Sequence, residues 1–329
     1  MPSQRPTDAD PHSSRPAHPT LPPPCQSITG GEIAHASEIY DRAHLRRWLV
    51  AREWDVCAAH RSLLEHASWR AYQVPGGRVL ETRIPGPLSD AKVLLQGVDR
   101  QGRAVLIIRA CKHRPLPSSA VSGTPPPLPT DPAAPLDPLR QQRAFVSYVL
   151  DAAVALCDPV RNPGRRLVSV FDLTDAAYAN LDTSAMKHVI GTLNAHSVER
   201  MQTLYFFNPP TVFFGLWRAL SPLLPEATRG KIKLVDGKTG SEELLEAIGG
   251  EVLPRAYGGE AEPVLVQEAV ARFGLPPASG TLGEHVAAAA ARGSGGAKTP
   301  ASGGERRASV DLAVEAAARA EAEAVAVVA

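Results

Sequence analysis

The sequence predicts an α/β protein: a mixed, largely parallel sheet with flanking helices, preceded by a small N-terminal helical lobe. Strand-length apolar runs (VLLQGV at 93–98, LVSVF at 167–171, TLYFF at 203–207 and IKLV at 232–235) alternate with stretches of helical period, the pattern of a parallel sheet with crossover helices. Before residue 75 only helical periodicity is present. Of the 31 prolines, 17 fall within residues 1–24 and 115–138, so the rest of the chain has ordinary globular composition.

The elements come in order along the chain. Residues 1–36 read as a disordered proline-rich tail, and 38–74 as the helical lobe. Leu45, Trp48 and Leu49 form the stripe of a first helix that ends before Trp54. Asp55 is placed to N-cap a second, with Val56, Ala59, His60, Leu63 and Ala67 inward. Two short helices bury too little alone, so the lobe must pack on the main domain. Residues 93–109 read as a hairpin turning at Asp99–Gly102. The main domain spans 88–262, interrupted by the proline-rich insertion 115–138. Helices are expected at 139–157, 182–197, 211–224 and 241–248, the last capped through Ser241. Residues 276–329 form a low-complexity Ala/Gly-rich tail.

Composition excludes several classes. A net charge of +1 gives no basis for general nucleic-acid affinity. No apolar run reaches the ~20 residues of a membrane-spanning helix, and the first 24 residues hold no secretory apolar core. The four cysteines form no CxxC pair, which predicts free thiols in a reducing, cytoplasmic setting and no metal site. There is no GxSxG elbow and no GxGxxG after a strand. GKTGS (237–241) lacks the first glycine of a phosphate loop, because Ile232 stands there. No residue set supports an enzyme.

Residues 212–224, VFFGLWRALSPLL, stand apart. Only Arg218 and Ser221 are polar, and the stretch is too short to cross a bilayer. Six of the 17 aromatics lie between Tyr205 and Trp217. Two readings are open: a fully buried core helix, or a helix with one face on an apolar cavity and the other toward a membrane. Gly215 and Pro222 favour mobility.

The strings LRRWLVAREWDV (45–56), GVDRQGRAVLIIR (97–109), VSVFDLTD (168–175), SVERMQTLYFFNPPTVFFGLWRALSPLLPEATRGKI (197–232) and LPRAYGG (253–259) resemble, in order and spacing, the CRAL-TRIO lipid-binding domain. The resemblance covers roughly residues 40–260. It implies an apolar cavity closed by a gate helix at 211–224, no catalysis, and no cofactor beyond a bound phospholipid. Tyr205, Phe207, Val212, Phe213, Phe214, Leu216, Trp217, Leu220 and Leu223 then form the gate and cavity wall. In the phosphatidylinositol-transfer branch the headgroup site maps onto Arg52, Glu199, Thr228 and Lys231. Ser169 matches one of two hydroxyl positions of a choline-headgroup site, and Leu167 replaces the other. Arg229, Lys233 and Lys238 would form a basic rim contacting an anionic membrane.

The expected ligand is phosphatidylinositol or another phospholipid, exchanged by a monomer with transient membrane contact. A lipid-presenting regulatory module and a neutral isoprenoid or sterol-like carrier are the alternatives. PPPLP (125–129) is a candidate polyproline II segment for a proline-motif partner, and RRAS (306–309) resembles a basic-directed kinase site.

Overall fold

In the computed structural model the described residues are 42–74, 78–117, 129–180 and 182–273, apart from 130, 132, 225 and 238. Both tails, Lys238, and PPPLP except for its last proline lie outside them.

The lobe is α1 (Arg42–Ala51) and α2 (Val56–Gln73). The expected cap is present: the Asp55 carboxylate accepts from the Ala58 amide. Trp48 and Leu63 are buried with Val198, which belongs to the main domain. Arg47, itself buried, donates to the Val198 carbonyl at 3.0 Å, so α1 is bolted to the loop before the fourth strand. Arg70 of α2 makes a bidentate pair with Asp151 at 2.9 and 2.5 Å. Trp69 stacks on His196 at 4.0 Å between ring centres. Val56, expected inward, is exposed at the start of α2.

The main domain carries a five-stranded sheet in sequential order: β1 (Val93–Val98), β2 (Ala104–Arg109), β3 (Leu167–Asp172), β4 (Met201–Phe207) and β5 (Ile232–Val235). β1 and β2 form the expected antiparallel hairpin, and every later pairing is parallel. Asp99 fixes the turn, its carboxylate accepting from the Gln101 and Arg103 amides. The intervening helices are α3 (Pro85–Ser89), α4 (Pro138–Leu156), α5 (Thr183–His196), α6 (Thr211–Leu220), α7 (Glu226–Arg229), α8 (Thr239–Ile248) and α9 (Val266–Arg272). Right-handed crossovers between neighbouring parallel strands place α4, α5 and α6 on one face of the sheet.

The two faces differ. On one, Val105, Ile107, Val168, Val170, Tyr205 and Phe207 pack under Leu244 and Ile248 of α8 and under Leu253 and Tyr257. The Tyr257 hydroxyl donates to the buried Asp172 carboxylate at 2.7 Å. On the other, Leu106 and Leu167 pack on α4, whereas Phe171, Leu204 and Ile232 are only half-buried beneath α6. The inward residues of α5 (Met186, Val189, Ile190 and Leu193) are likewise half-buried. On α4, Ala144, Phe145, Tyr148, Val149, Ala152 and Ala153 are buried, while Val146, Leu150 and Val154 are half-buried.

Three local expectations change. The 211–224 helix stops at Leu220 and continues as a 3-10 turn over Ser221–Leu223, because Pro222 has no amide for another α-helical bond. α8 begins at Thr239 and is capped by Asp236, which accepts from the Thr239 amide and hydroxyl, while Ser241 bonds the Gly237 carbonyl. Cys57 is disulfide-bonded, which corrects the reading of four free thiols, and Cys111 and Cys157 are free.

Tyr257→Phe removes the donor to a buried carboxylate, and urea unfolding should show a loss of about 1–3 kcal/mol. A second test uses pH. Burial, helped by Arg47, holds His44 down at about 2; burial and His196 hold His66 well below its ordinary 6.5; burial alone holds His196 at about 4. The unfolded chain then binds these protons first, so stability should fall as pH drops below about 6.5, by roughly 1.4 kcal/mol per unit for each histidine. A urea midpoint that stays constant from pH 7 to pH 5 would contradict this.

Candidate functional site

The apolar half of the site is the sheet face beneath α6. Phe206 is its centre. Its ring lies 4.6 Å from Phe213 and 5.5 Å from Trp217, and Phe171 meets it edge-on at 5.6 Å. Phe213 is fully buried, whereas Phe214, the next residue on the helix, is 51% exposed. The helix therefore has an inner aromatic face and an outer face that offers a large apolar side chain to solvent. Val212, Leu216 and Leu220 belong to this helix and Leu223 to the turn after it, and their side chains lie outside the described part of the structure.

The assignment of Tyr205 and Phe207 to the cavity is corrected by the sheet. Successive strand residues point to opposite faces, and these two lie in the closed core under α8. Leu204 and Phe206 take the α6 side, in register with Ser169 and Phe171 of β3. In TLYFF both parities are large and apolar, so strand period alone gave no means of choosing. Lys233 is corrected for the same reason. It shares the face of Tyr205, lies 5.5 Å from that ring, and donates to Glu243 at 2.5 Å, a hydrogen bond that raises its pKa. It is tied to α8 and absent from any rim beside α6. Arg229 is exposed, at the end of α7.

The polar half lies at the amino-terminal ends of β3, β4 and β5. Glu199 precedes β4 with φ of 53°, a left-handed conformation that costs free energy outside glycine and is held by its surroundings. Its carboxylate lies 3.3 Å from Lys231 Nζ and 3.5 Å from an Arg166 guanidinium nitrogen. Thr228, half-buried in α7, accepts the Lys231 amide at its carbonyl, fixing the approach of Lys231. Arg200 donates to the Gly164 and Arg165 carbonyls, joining the ends of β3 and β4. Arg52 sits just beyond α1, where its Nε donates to the Ser62 hydroxyl at 2.8 Å and a terminal nitrogen to the Ala51 carbonyl.

The structure thus brings Glu199 and Lys231 together, and Thr228 meets Lys231 through its backbone carbonyl alone. Arg52 stands on the lobe that Arg47 fastens to Val198, one residue from Glu199. Ser169 lies further in, half-buried on the α6 side of the sheet between Leu106 and Leu204. Sequence reasoning missed Arg166, Phe171, Leu204, Phe206 and Ile232. Parity within β3 was the available signal for Phe171; nothing local marked Arg166.

At the carboxyl ends of the strands, away from Glu199 and Lys231, a groove of about 670 Å³ is lined by Thr174, Asp175, Asn208, Pro210, Phe214 and Leu234. Asn208, at φ of 51°, donates to the Thr174 hydroxyl at 3.0 Å and turns the chain from β4 into α6. No helix among the described residues is long and apolar enough to cross a membrane.

Comparison with known proteins agrees with this architecture. The chain is similar to the crystal structure of Sfh5, with a TM-score of 0.53 at 18% identity, over 78% of this chain and 82% of that one. It is 23% identical over 223 residues to a CRAL-TRIO domain-containing protein of Schizosaccharomyces pombe, covering 65% of this chain and 45% of the relative. It is also 23% identical over 229 residues to the phosphatidylinositol transfer protein CSR1 of Eremothecium gossypii, covering 66% and 47%. The chain therefore spans about half the length of these relatives. Residues 88–259 match the CRAL/TRIO domain, and the chain belongs to that family of lipid-binding and lipid-transfer domains.

Proposed function

We propose that this protein exchanges single phosphatidylinositol molecules between membranes, holding the acyl chains beneath α6 and the headgroup at Glu199, Lys231, Thr228 and Arg52. The observation that carries the reading is two chemistries side by side: a partly exposed Glu199–Lys231 pair and, beginning at the next residue, Ile232, the half-buried apolar floor of Phe171, Leu204 and Ile232. An ion pair of this exposure adds under about 1 kcal/mol to folding, so its members are available to a ligand at little cost. A phosphodiester is expensive to bury unpaired. Lys231 and Arg52 supply charge and donors, the Thr228 hydroxyl a further donor, and Glu199 an acceptor for ring hydroxyls.

Acyl burial supplies the affinity, at about 0.8 kcal/mol per CH2, and the polar end sets selectivity. The exposed Phe214 is the membrane-facing residue of the gate, with Arg229 nearby in sequence to meet anionic lipid. Supporting the choice of lipid is the name of one relative, a phosphatidylinositol transfer protein. Membrane contact is peripheral and transient, and the chemistry requires no bond to be broken.

Vesicle-to-vesicle transfer of labelled phosphatidylinositol is the direct test. Glu199→Ala and Lys231→Ala should each slow it by about tenfold or more, the scale of one charge-assisted hydrogen bond. Transfer of a neutral lipid in place of phosphatidylinositol would refute the headgroup assignment. Phe214→Asp should leave thermal unfolding unchanged, since the side chain is exposed, and should depress transfer by opposing membrane insertion.

A further inference from the structure

The headgroup end holds more positive charge than one phosphodiester needs. Three segments meet there: 164–166, 199–201 and 229–231. Leu167 bonds the Arg200 carbonyl, Arg200 bonds those of Gly164 and Arg165, and Leu204 bonds that of Lys231. They contain five cations, Arg165, Arg166, Arg200, Arg229 and Lys231, against one carboxylate, Glu199. Arg200 is committed to backbone carbonyls, and Arg229 points to solvent from α7. Arg166 is different. Its side chain is 39% exposed, and its guanidinium lies 3.5 Å from the Glu199 carboxylate and donates to Gln202 Oε1 at 3.1 Å. Glu199 thus has one cation from the residue before β3 and another from the residue before β5, each at a distance longer than an optimal charge-assisted bond.

We infer that Arg166 is a specificity-determining residue that lets this site take an inositol phospholipid carrying an additional phosphate monoester. The inference rests on the proposed headgroup assignment and deepens it. A phosphodiester has one negative charge, which Lys231 and Arg52 suffice to meet. A monoester adds about 1.5 to 2 further charges at pH 7 with three strong acceptors. A guanidinium offers two parallel donors to such a group, where an ammonium offers a point charge. The Arg166 fork has only a partly exposed carboxylate and an amide oxygen to give up, so exchanging them for a phosphate costs little. Glu199 remains to accept from ring hydroxyls and to oppose lipids whose headgroups offer none.

The test uses the full chain and phosphatidylcholine vesicles containing either phosphatidylinositol or a phosphatidylinositol monophosphate. The wild type should extract both. Arg166→Gln should reduce extraction of the monophosphate about tenfold or more, the scale of a lost charge-assisted pair, with phosphatidylinositol changed less than the monophosphate. Arg166→Lys, which keeps the charge and loses the fork, should fall between. Unaltered thermal melting of both variants excludes loss of fold. Equal loss of both lipids in folded Arg166→Gln, or no loss of either, overturns the inference. A wild type that extracts phosphatidylinositol and rejects the monophosphate overturns this inference alone; one that extracts neither overturns the headgroup assignment as well. Soluble inositol bisphosphate separates the two sources of the same anion. Its capture by a protein that ignores the lipid assigns the cations to a free phosphate ester and overturns the lipid proposal.

Discussion

A parallel sheet has to be covered on both faces, and here the two covers are of unequal depth. The face under α8 is closed by Leu244, Ile248, Leu253 and Tyr257, all 3% exposed or less, and it includes the Tyr257–Asp172 hydrogen bond. The opposite face is filled by α4 over β1, β2 and the start of β3. Toward β4 and β5, Phe206 is buried but Phe171, Leu204 and Ile232, with the facing side chains of α5, remain half-buried. The two covers therefore differ in kind: α8 closes one core of twelve buried residues, while α6 rests on Phe206 through Phe213 and Trp217 in a smaller one.

The lobe serves the open face from the side. Arg47 and Trp48 bind it to Val198, the residue before Glu199. The backbone strain at Glu199 and the seating of the lobe are thus neighbours in sequence and in space. A carboxylate held at positive φ between two cations keeps its position when a ligand displaces one of them, as a flexible loop residue would not.

Much of this was legible in the sequence. Element order and type came from the change of period, since strand runs of four to seven residues and helices with caps such as Asp55 leave local signatures. The joint motif around 197–232 marked the polar end. What failed were choices that depend on partners distant in sequence. Which of Tyr205 and Phe206 faces the gate is set by register with β3 and β5, because both are aromatic and both are buried. Lys233 looked like rim charge until α8 placed Glu243 against it. Arg166, in a run of two arginines before a strand, has nothing local to separate it from ordinary solvated charge. Only the pairing of three strand ends gives it a carboxylate to share.

That pairing has a geometric consequence. Cations collect at the amino-terminal ends of β3 to β5, and the turn into the gate, Asn208–Pro210, lies at the carboxyl ends. β4 separates them by seven residues, about 23 Å at the usual rise of a strand. Under the proposed function the ligand is charged at one end and apolar along its length, and a diacyl phospholipid has that form. A compact neutral ligand would fill the floor beneath Phe213 and leave Glu199 and Lys231 paired only with each other and with Arg166. A free phosphate ester would use the cations and leave the floor uncovered. Under the proposed function only an amphiphile engages both, with its tails beneath α6.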